Sequence, residues 1–372
     1  VKVLFDCRYV RTGRHDGISR YSVGLLTALA RLHPVTMLIH DEAQLARLPD
    51  LPHRLVSAPT SIREPLVALA VRRFDPDVVF SPMQTMGSWG RRYRLVLTLH
   101  DLIYYAHPTP PPEFTAPIRL LWRAYHLAWW PQRVLLNRAD AVVTVSETTA
   151  GLIARHRLTD RPVTVVPNAA DPADGVERAP RTPALVYMGS FMPYKNVATL
   201  VRAMSSLPDH ELHLMSRITI DERARLAALA PRARLVFHDG ATDEVYREVL
   251  RGATALVSAS RDEGFGIPLI EAMQLGTPVV VSDIPVFREV AGGAGTYVDP
   301  DDVAGFVAAI RELDDPDRWA ARSAAARDRA GHYSWDASAR ILLALLQRPS
   351  TPRRPAAQAT RRRWSARPRT RW

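Results

Sequence analysis

The sequence predicts an α/β protein built from two doubly wound, parallel-sheet halves that face each other across a cleft. Three observations carry the prediction. The chain has 372 residues and 47% apolar content, enough for two hydrophobic cores rather than one. Short apolar runs alternate with helical patterns along both halves, as expected for strands covered by helices on both faces. Between the halves lies Pro167-Asn168-Ala169-Ala170-Asp171-Pro172-Ala173-Asp174-Gly175, a segment of turn formers.

Each element follows from that pattern. In the first half, the runs at 1–5, 35–39, 77–81, 95–99, 141–145 and 163–166 predict strands. Helical periods fall between them at 18–32, 63–74, 117–138 and 147–156. In the second half, strands are expected at 184–188, 211–215, 234–237, 255–257, 278–281 and 295–298. The intervening helices are expected at 196–206, 221–230, 243–252, 268–275, 301–313 and 316–330. A last amphipathic helix at 335–347 carries Ile341, Leu342, Leu345 and Leu346. The expected domains are 1–170 and 178–331, with 332–347 a terminal helix and 348–372 a disordered tail.

The net charge of +11 raises the reading of an arginine-rich nucleic-acid-binding protein, and its location argues against it. Nine arginines and no acid lie in residues 348–372, leaving 40 basic and 38 acidic residues in the body. That tail has no apolar period and is expected to be either a solvated extension or a segment drawn to an anionic membrane surface. Trp364 and Trp372 favour the membrane slightly. No nucleic-acid partner is expected. The single cysteine, Cys7, excludes an internal disulfide and fits a reducing cytoplasm. Residues 1–5 read directly as a buried strand, so no secretory leader is expected. No apolar stretch is long enough to cross a bilayer; the best candidate, 118–136, is interrupted by Arg119, Arg123, His126, Gln132 and Arg133.

The most informative segment runs from the strand at 254–258 into Arg261-Asp262-Glu263-Gly264-Phe265-Gly266-Ile267-Pro268-Leu269-Ile270-Glu271. Glu263 falls on a glycine-rich turn and Glu271 eight residues on, inside a helix. Pro268 suits the first helical turn, where a missing N–H costs nothing. The positive end of the helix dipole then faces any anion in the turn. Because Pro268 cannot donate, the N–H groups of Gly266, Ile267 and Leu269 are the expected phosphate donors. An ordinary tight turn would need only Gly264 and Gly266, without the spaced carboxylates or the intervening Phe265.

Here the chain resembles the retaining glycosyltransferases of family 4, whose signature is Glu, seven residues, Glu. The resemblance covers about residues 1–346. It implies the GT-B fold, two Rossmann-like domains, with the acceptor held by the first domain and a nucleotide-diphosphate sugar by the second. It implies transfer of a hexose, mannose as first guess, to a glycan or lipid-linked hydroxyl with retained configuration. In that family the acceptor hydroxyl approaches on the leaving group's face and a diphosphate oxygen helps remove its proton. Glu263 would then bind donor-sugar hydroxyls and Glu271 the nucleotide ribose. The resemblance also implies that the last helix crosses back onto the first domain. The location implied is the cytoplasm, at the inner face of the membrane if the acceptor is lipid-linked.

Further residues join this reading. The segment Gly189-Ser190-Phe191-Met192-Pro193-Tyr194-Lys195 opens a helix with one of only two lysines, the other being Lys2. A cation near a helix N-terminus is unfavourable unless an anion is bound there, so Lys195 is assigned to the diphosphate. Where the family often has an arginine after Gly189, this chain has Ser190, and Arg217 is a candidate to compensate. His100, at a strand end, can contact the donor sugar or developing charge, as the family's similar His-Asp pair implies; Asp101 is expected to orient the loop. Gly17, in Gly13-Arg14-His15-Asp16-Gly17-Ile18-Ser19-Arg20-Tyr21, matches a family loop that meets phosphate or acceptor.

Asp75-Pro76-Asp77 and Asp299-Pro300-Asp301-Asp302 read as turn and cap rather than metal ligands, and no His/Cys cluster has metal spacing. Neither a metal nor another cofactor is therefore expected. The 117–138 helix, with Trp122, Trp129 and Trp130 among arginines, is expected to pack on the first domain; a membrane-facing surface is the other reading. A nucleotide-sugar epimerase on the same fold and a catalytically silent sugar-binding partner remain alternatives.

Overall fold

The computed structural model describes residues 1–13, 16–110, 115–171 and 179–349. The tail expectation therefore falls, beyond residue 349, outside the described residues, as do residues 172–175 of the linker.

The first sheet comprises β1 (Val3–Asp6), β2 (Val35–Ile39), β3 (His53–Leu55), β4 (Val78–Ser81), β5 (Arg94–Leu99), β6 (Ala141–Thr144) and β7 (Val163–Val165). Its order is β3-β2-β1-β4-β5-β6-β7, all neighbours parallel. The second comprises β8 (Ala184–Tyr187), β9 (Glu211–Leu214), β10 (Arg234–Phe237), β11 (Ala255–Ser258), β12 (Val279–Ser282) and β13 (Gly295–Val298). Its order is β10-β9-β8-β11-β12-β13, again parallel throughout. Strands such as β4, β8, β11 and β12 are buried at every position, which is why they read as continuous apolar runs. This is an α/β architecture of two Rossmann-like units.

In each sheet the strand order reverses beside a central strand, at β1/β4 and at β8/β11. Ligands of doubly wound sheets bind outside the strand C-termini at that reversal. The chain leaving β8 is the Gly189–Lys195 segment, and the chain leaving β11 is the Glu263–Gly266 turn. Topology alone brings these two motifs together.

The halves are tied by the last helix, Trp335–Leu346, which packs on the first-half helix Gly17–Leu32. Gly24 permits the approach: a Cβ there would lie 2.2 Å from Cε2 of Trp335. Arg94 of β5 donates to the Leu346 carbonyl at 3.0 Å, and Arg31 pairs with Asp336. A second tie is Glu289, whose carboxylate accepts the N–H groups of Glu147 (2.7 Å) and Thr148 (2.8 Å). A second-half acid thus caps a first-half helix.

Three local expectations are corrected. The 117–138 helix is two helices, Ala116–His126 and Trp130–Asn137. Pro131 is the cause, since its missing N–H is tolerated only in a first turn. The second of them packs on the first half as expected, with Leu136 in a core with Leu99, Val142 and Ile153, whereas no residue of Ala116–His126 is buried. It is held at arm's length by rings: Trp122 edge-on to Tyr104 (centroids 5.0 Å) and Trp129 stacked on Tyr105 (3.9 Å). The helix Pro285–Ala291, which presents Glu289, had no counterpart in the sequence reading.

Candidate functional site

The turn after β11 is the centre of the cleft. Gly266 adopts φ +97° and precedes the helix Ile267–Gln274, a conformation that favours glycine. A Cβ at Gly264 would lie 2.8 Å from the carbonyl oxygen of His100, so the turn presses directly against the first half. Ser146 Oγ donates to the Gly264 carbonyl at 3.0 Å and fixes that contact.

The N–H groups of residues 264–267 donate to no acceptor among the described residues. These donors belong to two buried residues, Gly264 and Phe265, and two half-buried ones, Gly266 and Ile267. Such groups are costly unless a ligand or water accepts from them. A Cβ at Gly17 would meet Cδ1 of Ile267 at 4.0 Å, so the starts of the helices Gly17–Leu32 and Ile267–Gln274 lie side by side. Two positive helix ends therefore converge on one spot.

Two of the expected donor contacts are corrected. The Leu269 N–H is taken by the Gly266 carbonyl at 3.0 Å and is not free for phosphate. The Phe265 ring is 4% exposed and packs edge-on to Tyr333 (5.6 Å), leaving only its backbone for a ligand.

Lys195 lies in the single turn Pro193–Lys195, and the helix beyond it starts only after Asn196 in a left-handed conformation. Its Nζ donates to Glu263 Oε1 at 2.5 Å and sits 5.3 Å from the centre of the Tyr194 ring. Ser260 Oγ donates to the same oxygen at 2.9 Å. Both contacts fall on Oε1, so Oε2 of Glu263 has no hydrogen-bond partner among the described residues. Arg261, next to this group, is anchored outward on Asp301 at 2.5 and 2.6 Å.

Glu271 is treated differently. Arg20, three residues into the first-half helix, forms an ion pair with it and a second with Asp243. Burial pushes the Glu271 carboxyl above the usual carboxylate range, and Arg20 opposes the shift. A cavity of about 150 Å³ opens beside the pair, lined by Arg20, Ala170, Asp243, Tyr246, Glu271 and Gln274.

Gly189 and Ser190 continue from β8, and the Gly189 N–H donates to Ser216 Oγ at 3.2 Å. Tyr187 of β8 pairs with Leu214 of β9, which puts Arg217 on the same edge as Ser190. Arg217 is exposed, and its side chain lies against Gly240, where a Cβ would sit 2.6 Å from Arg217 Cγ. It makes no ion pair among the described residues.

His100 approaches the Pro82 carbonyl through Nε2 at 2.7 Å. A carbonyl only accepts, so Nε2 carries the proton and Nδ1 is the acceptor of a neutral ring. Burial pushes the imidazole pKa down and keeps it neutral. The neighbouring Asp101 accepts the Ile103 N–H at 3.1 Å, which orders the loop. Burial, with Glu263 and Asp262 adding, pushes its carboxyl up to about 6.

Arg20, Ser260 and Glu289 were not singled out from sequence. Arg20 alone left a trace there, lying three positions after Gly17 and so on the same helix face. In the two Asp-Pro-Asp segments, Asp77 Oδ2 accepts the Lys2 N–H at 2.6 Å, and Asp302 caps the helix Val303–Glu312. Among the described residues no group of three or more His, Cys, Asp or Glu side chains is arranged to hold a metal.

Two Rossmann-like units, with a glycine-rich, carboxylate-flanked turn of the second pressed against the first, form the GT-B architecture. Comparisons with known proteins agree. A Glycosyltransferase Family 4 profile matches residues 15–174, and a profile for Glycosyl transferases group 1 matches residues 182–315. The chain belongs to the group 1 glycosyltransferases. It is 27% identical to the O-antigen chain mannosyltransferase RfbU of Salmonella typhimurium, over 80% of this chain and 87% of that one. It is 34% identical to a phosphatidyl-myo-inositol mannosyltransferase of Mycolicibacterium smegmatis, over 48% of this chain and 50% of that one. Among solved structures, sucrose-phosphate synthase from Thermosynechococcus elongatus superposes with TM-score 0.71 at 20% identity, covering 92% of this chain and 98% of that one. Anabaena HepE with UDP-glucose superposes with TM-score 0.69 at 17% identity, covering 92% and 99%.

Proposed function

We propose that the chain transfers a hexose, mannose in the first instance, from a nucleoside-diphosphate donor to a glycan or lipid-linked hydroxyl, retaining configuration and using no metal. The observation that carries this reading is the run of unpartnered N–H groups at 264–267, at a helix start that meets a second helix start and lies near Lys195. Those groups would hold the departing diphosphate and neutralise it without a metal ion. Glu263, with Oε2 unclaimed, would bind donor-sugar hydroxyls, and neutral His100 would accept from a sugar hydroxyl through Nδ1. Glu271 would take the ribose, sharing or exchanging its present partner Arg20. Arg217 stands where it could supply the diphosphate contact that Ser190 lacks.

Retention then needs no carboxylate acting as base, unlike paired-acid glycosidases. The acceptor hydroxyl attacks on the leaving group's face and passes its proton to a diphosphate oxygen. The mannosyltransferases among its relatives favour mannose, and the phosphatidyl-myo-inositol mannosyltransferase among them favours a lipid-linked acceptor. Among the described residues no helix is long and apolar enough to cross one.

Thermal denaturation against a nucleotide-sugar panel, with chelator present, tests the proposal. A donor at about 100 times its Kd should stabilise the folded chain by about 2.7 kcal/mol. A guanosine-diphosphate mannose shift in chelator supports it, and no shift with any nucleotide sugar overturns it. Anomeric configuration of the product, read by NMR, tests retention.

A further inference from the structure

The helix Ala116–His126 turns its aromatic side inward and an apolar side outward. Trp122 and His126 face the domain through ring contacts, Trp122 on Tyr104 and His126 on Tyr105, the latter pair with centroids 5.0 Å apart. On the other side Leu120 is 71%, Leu121 72% and Leu127 83% exposed, and Trp130 follows at 65%. A surface helix in water carries polar residues on that face, so these side chains lack the environment their chemistry calls for. Around them, residues 115–139 contain no carboxylate and four arginines, of which Arg133 donates to the His156 and Arg157 carbonyls while Arg119 and Arg123 are exposed on the helix itself.

We propose that this face, from Ile118 to Val134, docks on an anionic lipid bilayer, leucines and Trp130 entering the acyl boundary while the arginines meet the phosphates. Charge selects the occupant. A two-fold contact between copies would set these arginines against their own counterparts with no acid to offset them. The chain's residues 350–372 are arginine-rich and acid-free, so they too would be repelled. An anionic surface alone satisfies both the apolar and the cationic side chains.

The position adds to the case. Tyr104 and Tyr105, on which the helix rests, lie in the short helix Ile103–Ala106 that directly follows His100 and Asp101. A bilayer on this face would border the cleft and could present a lipid-linked acceptor to it. That consequence rests on the proposed transfer reaction; the docking itself does not.

The test is co-sedimentation of the full chain with vesicles of phosphatidylcholine alone or with about one-third phosphatidylglycerol. The wild type should bind the anionic vesicles and release the neutral ones. Combined Leu120→Ser, Leu121→Ser and Leu127→Ser should weaken binding about tenfold or more. Combined Arg119→Gln and Arg123→Gln should weaken it and flatten its salt dependence. Retention of the nucleotide-sugar thermal shift in each variant shows that the fold persists. Loss of that shift in the wild type would sink the transferase reading and leave the vesicle result standing. The docking proposal is overturned if the wild type ignores anionic vesicles or if the serine variant binds as the wild type does. A wild-type dimer in sedimentation velocity that the serine variant abolishes also overturns it, assigning the face to a second copy.

Discussion

Glu263 and Glu271 stand eight residues apart on one turn and helix, yet their partners come from different halves of the molecule. Glu263 is held by Lys195 and Ser260, both from the second half. Glu271 is held by Arg20, which arrives across the cleft from the first. The difference teaches that half the site is preassembled within one domain, while the other half exists only when the domains meet. A preassembled carboxylate costs nothing to position at the moment of reaction, which suits transition-state stabilisation. A carboxylate whose partner comes from the opposite wall suits binding, because donor entry and domain closure then compete for the same group.

Mutations can break this contrast. The largest effect is expected from Glu263→Ala, a loss of turnover on the order of 10²–10³-fold with donor affinity little changed. Steady-state kinetics with the donor varied checks it; a raised KM at unchanged kcat would reverse the assignment. Glu271→Ala should do the opposite, weakening donor binding on the order of 10- to 100-fold while kcat holds. Equilibrium titration with the nucleotide sugar reads this directly.

Two smaller effects sharpen the contrast through pH. Arg20 holds down the raised pKa of Glu271, so Arg20→Ala lets it rise further. The protonated acid is a poorer hydroxyl acceptor, so donor affinity of that variant should fall as the pH is lowered, by about three- to tenfold. The wild type should change less over the same range. Asp101, on the Glu263 side, has its carboxyl raised to about 6, so the folded chain binds more protons than the unfolded one between about pH 4 and 6. This group therefore removes stability as pH rises through that window. Asp101→Asn should be more stable than the wild type at pH 7.5, by about 1–2 kcal/mol, with the gap closing below pH 4. Denaturant melts at both pH values measure it. Glu263→Ala should narrow the gap, because Glu263 helps to raise Asp101.

Much of the architecture was legible in the sequence. The parallel strands came through because burial on both faces leaves continuous apolar runs, and the turn at 263–271 because its glycines and proline are demanded locally. Where the reading slipped, a nearby residue or a distant contact was responsible. Pro131 split the 117–138 helix, a boundary that could have been read from its ring. The Phe265 ring turned into the core because Tyr333, sixty-eight positions on, was there to receive it. Leu269 lost its expected role to ordinary helix-start hydrogen bonding with Gly266.

The sequence by itself determined two wound sheets, the turn between strand and helix that carries two carboxylates, and a lysine after the first strand of the second half. Each is a local consequence of periodicity or of backbone freedom at a few residues. Only the tertiary structure decided that Arg20 meets Glu271 across 251 positions of chain, that Glu289 caps a helix of the other half, and that the Ala116–His126 helix leaves its leucines in the open. Such contacts depend on how two independently folded sheets are set against each other, and no short-range pattern encodes that placement.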